Sequence, residues 1–257
     1  MHLNRMIPFL ALTIVMIHSL PVRAQEWGRL SGRFVFTGDV PEAEQIQVTR
    51  DEDVCGVRPL FDRSLLVNSE NGGLANVVVY LLSRSEVPVH PDVKTTEKPA
   101  VLDNKDCQFV PRIVPVQTSQ TLRCISTDPI PHNVAVYARR NDPFSEVIPT
   151  GGALEKTFPR QELSPLRVDC SSHAWMRAYL VVTDHPYVAV TDKDGRFSID
   201  KIPFGEWEFR LWHEKSGYLE TVNINGTDHD LKRGVWEQKI DADNHDLGEV
   251  KINSLKD

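Results

Sequence analysis

Apolar residues fall along this chain in short bursts, and no stretch of a dozen residues beyond position 24 repeats them every 3.6 residues. The bursts are rich in Val, Ile, Phe, Tyr, Trp and Leu. They are "GRFVF" (32–36), "LANVVVYLL" (74–82), "RIVPV" (112–116), "TLRCIS" (121–126), "NVAVYA" (133–138), "LRVDC" (166–170), "RAYLVV" (177–182), "GRFSI" (195–199) and "EWEFRLW" (206–212). Gly, Pro, Asn and Asp punctuate them, as turns require. Strands at this spacing, with no helices between, predict an all-β chain built as sandwiches or barrels. Residues 83–100, "SRSEVPVHPDVKTTEKPA", are polar, Pro-rich and aperiodic, and read as a linker or long surface loop. Asp192-Lys193-Asp194-Gly195 carries the chemistry of a tight hairpin.

The start of the chain departs from this pattern. Arg5 precedes an apolar run from Met6 to Leu20, and Val22-Arg23-Ala24 follows as a small-residue cleavage site. Residues 1–24 therefore read as a secretory signal. The run is short for a membrane anchor and is interrupted by Pro8 and His18. Nothing later in the sequence resembles a membrane span. Removing the segment takes the formal charge from −7 to −9 and leaves about 233 residues, enough for one large or two small cores. An acidic chain without a basic run argues against nucleic acid and suits a cationic protein partner. A secreted chain can form disulfides from Cys55, Cys107, Cys124 and Cys170.

One stretch between two predicted strands carries chemistry. "VDCSSHAWM" (168–176) places a thiol, an imidazole and a thioether at Cys170, His173 and Met176. The thiol ends one strand, the imidazole lies in the loop, and the thioether starts the next strand, so all three can face one pocket. A fourth donor, His132, opens a strand behind Pro129 and Pro131. Two imidazoles, a thiolate and a thioether form the donor set of a blue-copper centre. A structural zinc site needs four Cys or His donors, and a c-type haem needs Cys-x-x-Cys-His; neither is present. A Cys-x-x-His pair taken alone also suits an ordinary loop histidine. With Cys170 as a ligand, three cysteines remain and one must stay unpaired.

"CSSHAWMRAYLVV" resembles the ligand loop and following strand of the cupredoxins, in particular the amicyanin and plastocyanin group. The likeness continues upstream through "FVPRIVPVQTSQTLRCISTDPIPHNVAV" and covers about residues 101–183. It implies a Greek-key β-sandwich holding one type 1 copper, with His132, Cys170, His173 and Met176 as ligands. It also implies that Asn133 ties the two ligand loops together. Thr118-Ser119 replaces the usual turn glycine, Cys124 a large apolar residue, and Ala174 a frequent loop proline. By the same likeness His173 would present an exposed edge for electrons, in a patch with Ile130, Pro131, Ala174 and Trp175. Cys55, in the loop-like segment "DEDVCGVRP" of the flank, and Cys107, at the start of this region, are expected to pair, leaving Cys124 as a buried free thiol.

The flanks show a second resemblance. "VAVTDKDGRFSIDKIPFGEWEFRLW" is similar to carboxypeptidase regulatory-like, transthyretin-type sandwiches. The opening strands of that module match "GRLSGRFVFTGDVP" (28–41) and "GGLANVVVYLL" (72–82), at the other end of the chain. Residues 25–100 and 184–257 would then be the two halves of one module, with the cupredoxin region inserted between them. The whole resembles secreted bacterial proteins called methylamine utilization proteins or cupredoxin-like. His185 and His213 are expected to be structural rather than a second metal site. The implied function is periplasmic or secreted outer-sphere electron transfer with a redox partner protein, and no enzymatic activity. Multicopper enzymes need further histidines in His-x-His pairs, of which the chain has none. The alternative is a cell-envelope or carbohydrate-associated sandwich protein whose cupredoxin region no longer matters for redox.

Overall fold

The computed structural model describes residues 25–83, 86–93 and 95–255. The proposed signal, residues 1–24, lies outside them. Strands dominate: the described helices are the four-residue Glu52–Cys55 and the 3-10 turn Thr95–Glu97. Among the described residues no helix is long and apolar enough to cross a membrane. The chain is an all-β sandwich protein with two principal cores.

One core lies between sheets whose strands come from both ends of the chain. In the first sheet Trp27–Phe36 sits between Arg196–Pro203, antiparallel to it, and Asn244–Ile252, parallel to it. Thr221–Ile224 and Thr227–Asp230 complete that sheet. In the second sheet Val78–Leu81 is hydrogen-bonded on both sides, to Val188–Val190 and to Gly205–His213. Leu30, Phe34, Val79, Leu81, Phe209 and Leu211 fill the space between the two sheets. The other face of Val78–Leu81 is buried too. Val78 and Tyr80 meet Ile113, Val181 and Trp212 in a separate cluster. A strand covered on both faces reads as a continuous apolar run, which is why "VVVYLL" does not alternate.

The other core belongs to the middle of the chain. One sheet runs Phe144–Ile148, His132–Val136, Leu166–Asp169, Arg177–Thr183, Ile113–Gln117. The facing sheet runs Ala153–Thr157, Thr121–Ser126, Ala100–Lys105, Gln108–Val110. Leu102, Phe109, Leu122, Val134, Val168 and Leu180 pack between them. Ser119 adopts φ 66°, the left-handed conformation that a turn glycine would supply. Cys124 is buried there as a free thiol, its pKa pushed up to about 12 by burial.

Two details differ from the sequence reading. The turn at Asp192–Gly195 forms, with Gly195 N–H bonded to Asp192 O and Asp192 N–H to Arg196 O, both at 3.0 Å, yet the strands beyond it part into different sheets. Val188–Val190 enters one sheet and Arg196–Pro203 the other, so the turn is a bridge between layers. Gly195 is required: φ is +78° and a Cβ would stand 2.1 Å from Phe34 O. The second difference lies in residues 37–72, which hold a small ladder between Gln45–Ile46 and Leu60–Phe61 and the helix Glu52–Cys55. The Cys55–Cys107 disulfide fastens this segment to the central sandwich, with a Cα–Cα distance of 5.5 Å.

Candidate metal centre

His132 is the first residue of His132–Val136, held in the middle of its sheet by Phe144–Ile148 and Leu166–Asp169. Cys170 directly follows Leu166–Asp169. The pairing of Asp169 with Arg177 closes the loop in which His173 lies. Met176 N–H bonds His173 O at 2.9 Å, so the loop folds back on itself. Asn133 joins the two segments. Its backbone N–H donates to Cys170 Sγ at 3.4 Å, and its Oδ1 accepts from Ser171 N–H at 3.3 Å. The resemblance noted in the sequence implied this role for Asn133.

The side chains converge. His132 Nδ1 lies 3.1 Å from His173 Nδ1, and Cys170 Sγ lies 3.6 Å from His173 Nδ1. One ligand atom from each of the three lies within 4.8 Å of the others, and all three residues are buried. Met176 is buried in the same core as Cys170, whose N–H bonds Met176 O at 3.4 Å. Cys107, Asp128 and His132 also crowd together, but the Cys107 sulfur is committed to its disulfide.

Each imidazole is backed by a carboxylate. His132 Nε2 meets Asp128 Oδ2 at 2.8 Å, and His173 Nε2 meets Asp51 Oδ2 at 2.8 Å. Asp128 is itself held by the N–H groups of Asp106 (2.7 Å) and Cys107 (2.9 Å). An ionised carboxylate can only accept, so a neutral ring facing it carries its proton on Nε2. With both rings in that form, each Nδ1 would face the other as an acceptor. Burial, and then the neighbouring His173, push the His132 pKa down, against the pull of Asp128 and Asp51. Two imidazole nitrogens converging beside a thiol make a soft pocket that suits a cation, and the donor types fit copper.

Asp51 and Asp128 were not anticipated as parts of the site. Asp128 lies four residues before His132, within reach of a local reading. Asp51 is 122 residues from His173 in sequence. The exposed patch expected around His173 is not found. His173 is fully buried, with relative exposure 0%. Trp175 turns inward against the His173 ring, centroids 5.1 Å apart, and donates its indole N–H to Cys107 O at 3.1 Å. The segment before Cys55 covers this pole, while Pro131 and Ala174 remain exposed. His185 and His213 are buried, and neither joins a group of ligands among the described residues.

No protein-family model matches the chain, and no curated relative is found. Among solved structures it is similar to an oxidised amicyanin variant, at 20% identity over 40% of this chain and 97% of that one, with a TM-score of 0.30. It is also similar to a purple cupredoxin from Nitrosopumilus maritimus, at 18% identity over 33% of this chain and 97% of that one, TM-score 0.28. A copper-containing nitrite reductase from Thermus scotoductus aligns at 20% identity over 37% of this chain, TM-score 0.31, and the match spans 25% of its length.

Proposed function

We propose that this chain is a mononuclear type 1 copper protein that exchanges single electrons with a partner protein. His132, Cys170, His173 and Met176 would be its ligands. The observation that carries this reading is the pair of inward-facing Nδ1 atoms 3.1 Å apart, beside the Cys170 thiol and backed by carboxylates. Copper in such a set supplies a reversible one-electron couple between Cu(I) and Cu(II). The protein contributes rigidity: Asn133 holds Cys170 Sγ, Asp128 orients His132, and burial keeps water from the pocket. With four protein donors no position is left for a substrate, so the reading is electron transfer rather than catalysis. The Cys55–Cys107 disulfide suits an oxidising compartment, in keeping with a secreted or periplasmic chain. In this proposal residues 101–183 are a cupredoxin domain set into a module formed by 25–100 and 184–257. An acidic chain favours a cationic redox partner.

The test is direct. Full-length chain titrated with copper alone should bind one equivalent and, once oxidised, absorb visible light by thiolate-to-copper charge transfer. Cys170→Ser should remove that band. A colourless complex, or a band that survives Cys170→Ser, would overturn the assignment.

A further inference from the structure

Asp51 occupies an unusual place. It is the residue before the helix Glu52–Cys55, and its backbone carbonyl accepts from Val54 (3.0 Å) and Cys55 (2.7 Å). An Asp at that position ordinarily turns its carboxylate onto the helix's own free N–H groups, a cap worth about 1 kcal/mol. This one makes no such bond. Its carboxylate reaches instead across the interface to His173 Nε2 at 2.8 Å. The backbone is left-handed there, φ 52°, a conformation that Asp tolerates better than most residues. The segment is held in place from the other side by the Cys55–Cys107 disulfide, by Leu60 and by the partly buried Ile46, Val48 and Val54, which pack with Trp175 and Ile130.

We propose that Asp51 is a positioning residue of the metal centre, supplied by the flanking segment: it holds His173 with Nδ1 turned inward and closes its Nε2 edge to solvent. This rests on the copper reading above. Asp128 does the same for His132 from within the central sandwich, so the two rings are oriented by carboxylates of different parts of the chain. A carboxylate behind a ligating imidazole fixes its tautomer and raises its basicity, and loss of such a partner typically weakens metal binding by about 10–100-fold. A more basic ligand set favours Cu(II) over Cu(I). Asp51 should therefore lower the reduction potential as well as tighten Cu(II) binding. The same contact removes the imidazole edge as a direct exit for electrons, since the ring has no exposed surface.

The experiment compares the full-length chain with Asp51→Ala, Asp51→Asn and Asp51→Glu. The first measurement needs no metal. Imidazole nitrogen NMR of the copper-free chain should show His173 protonated on Nε2, with a slowly exchanging N–H that is lost in Asp51→Ala. Asn retains an acceptor oxygen and should keep the tautomer without the charge. The second measurement is Cu(II) competition and potentiometry. Asp51→Ala should bind Cu(II) about 10–100-fold more weakly and show a raised potential, with Asp51→Asn intermediate and Asp51→Glu nearest wild type. A wild-type chain that binds no copper would sink the copper reading, while the metal-free NMR would still report on the Asp51–His173 contact. Copper bound with equal affinity and potential in wild type and Asp51→Ala would overturn the positioning role alone. So would a lowered Tm in Asp51→Ala or Asp51→Asn with the His173 tautomer and potential unmoved.

Discussion

His213 ends the strand Gly205–His213 fully buried, its Nδ1 accepting the Lys215 N–H at 3.3 Å. Burial above all, then the charges of Arg112 and Lys215, push its pKa down to about 4 from an ordinary 6.5. The ring therefore folds neutral. Between pH 6.5 and about 4 the unfolded chain takes up a proton there that the folded chain refuses. Stability falls as pH drops through that window and levels off beneath it. The loss from this side chain alone is about 3 kcal/mol at most. Denaturant unfolding at pH 7 and pH 4.5 should show a smaller difference for His213→Gln than for wild type. Identical pH dependence in the two proteins would refute the assignment. The residue scale is also where the candidate site was most legible. Cys170, His173 and Met176 announce themselves because their spacing in one loop is local, and His132 because prolines stiffen the approach to it. The burial of His173 was not legible. Its neighbours Ser172 and Ala174 are small and suggest exposure, but the cover comes from a segment far away in sequence.

The element that supplies this cover is the helix Glu52–Cys55 with its small strand ladder, too short for any periodic signal. The one trace of it in the sequence was the expected pairing of Cys55 with Cys107, which the structure contains. The disulfide closes a loop of 52 residues and stabilises by roughly 4 kcal/mol in the chain-entropy model. It also helps hold Asp51 on His173, together with the packing of Leu60, Ile46, Val48 and Val54. Reducing it, or replacing both cysteines by alanine, should free the segment and raise the accessibility of the His173 ring. Hydrogen exchange at residues 45–61 and at the His173 ring N–H should then accelerate together. Unchanged protection at His173 after reduction would show that apolar packing alone holds the cover down. Other elements escaped sequence reading for a different reason. Apart from the buried Ile148, Phe144–Ile148 and Ala153–Thr157 alternate between exposed and partly buried positions and contain Glu, Lys and Ser. Their strand character comes from pairing with His132–Val136 and Thr121–Ser126, which local composition does not encode. The apolar runs that were legible are those buried on one or both faces.

Across the whole molecule the two ends of the chain depend on each other. Trp27–Phe36 has both of its neighbours, Arg196–Pro203 and Asn244–Ile252, in the last third of the chain, and Val78–Leu81 has both of its own, Val188–Val190 and Gly205–His213, there too. The interface toward the central sandwich is also built jointly. Glu214 forms a paired contact with Arg112, side-chain exposures 2% and 11%, beside the cluster of Val78, Ile113, Val181 and Trp212. Removing residues 184–257 would strip both sheet neighbours from each of these N-terminal strands, leaving Trp27–Phe36 only its bridge from Val35 to Gly73, and expose "VVVYLL" along both edges. A buried strand left with free edges and two apolar faces is prone to aggregate. It would also leave Arg112 without the carboxylate that pairs with it, and loss of one partner of a buried pair costs about 3–5 kcal/mol. We therefore expect the chain truncated after residue 183 to be insoluble or to lack a cooperative unfolding transition. Residues 25–100 alone should behave likewise. Co-expression of 184–257 as a separate chain should restore solubility to the truncated form, because the missing partners form continuous strands that need only pair and pack. Recovery would be read by co-purification and by a single thermal transition shared by both chains. A stable, monomeric, cooperatively unfolding product from residues 25–100 would show that the two ends fold independently.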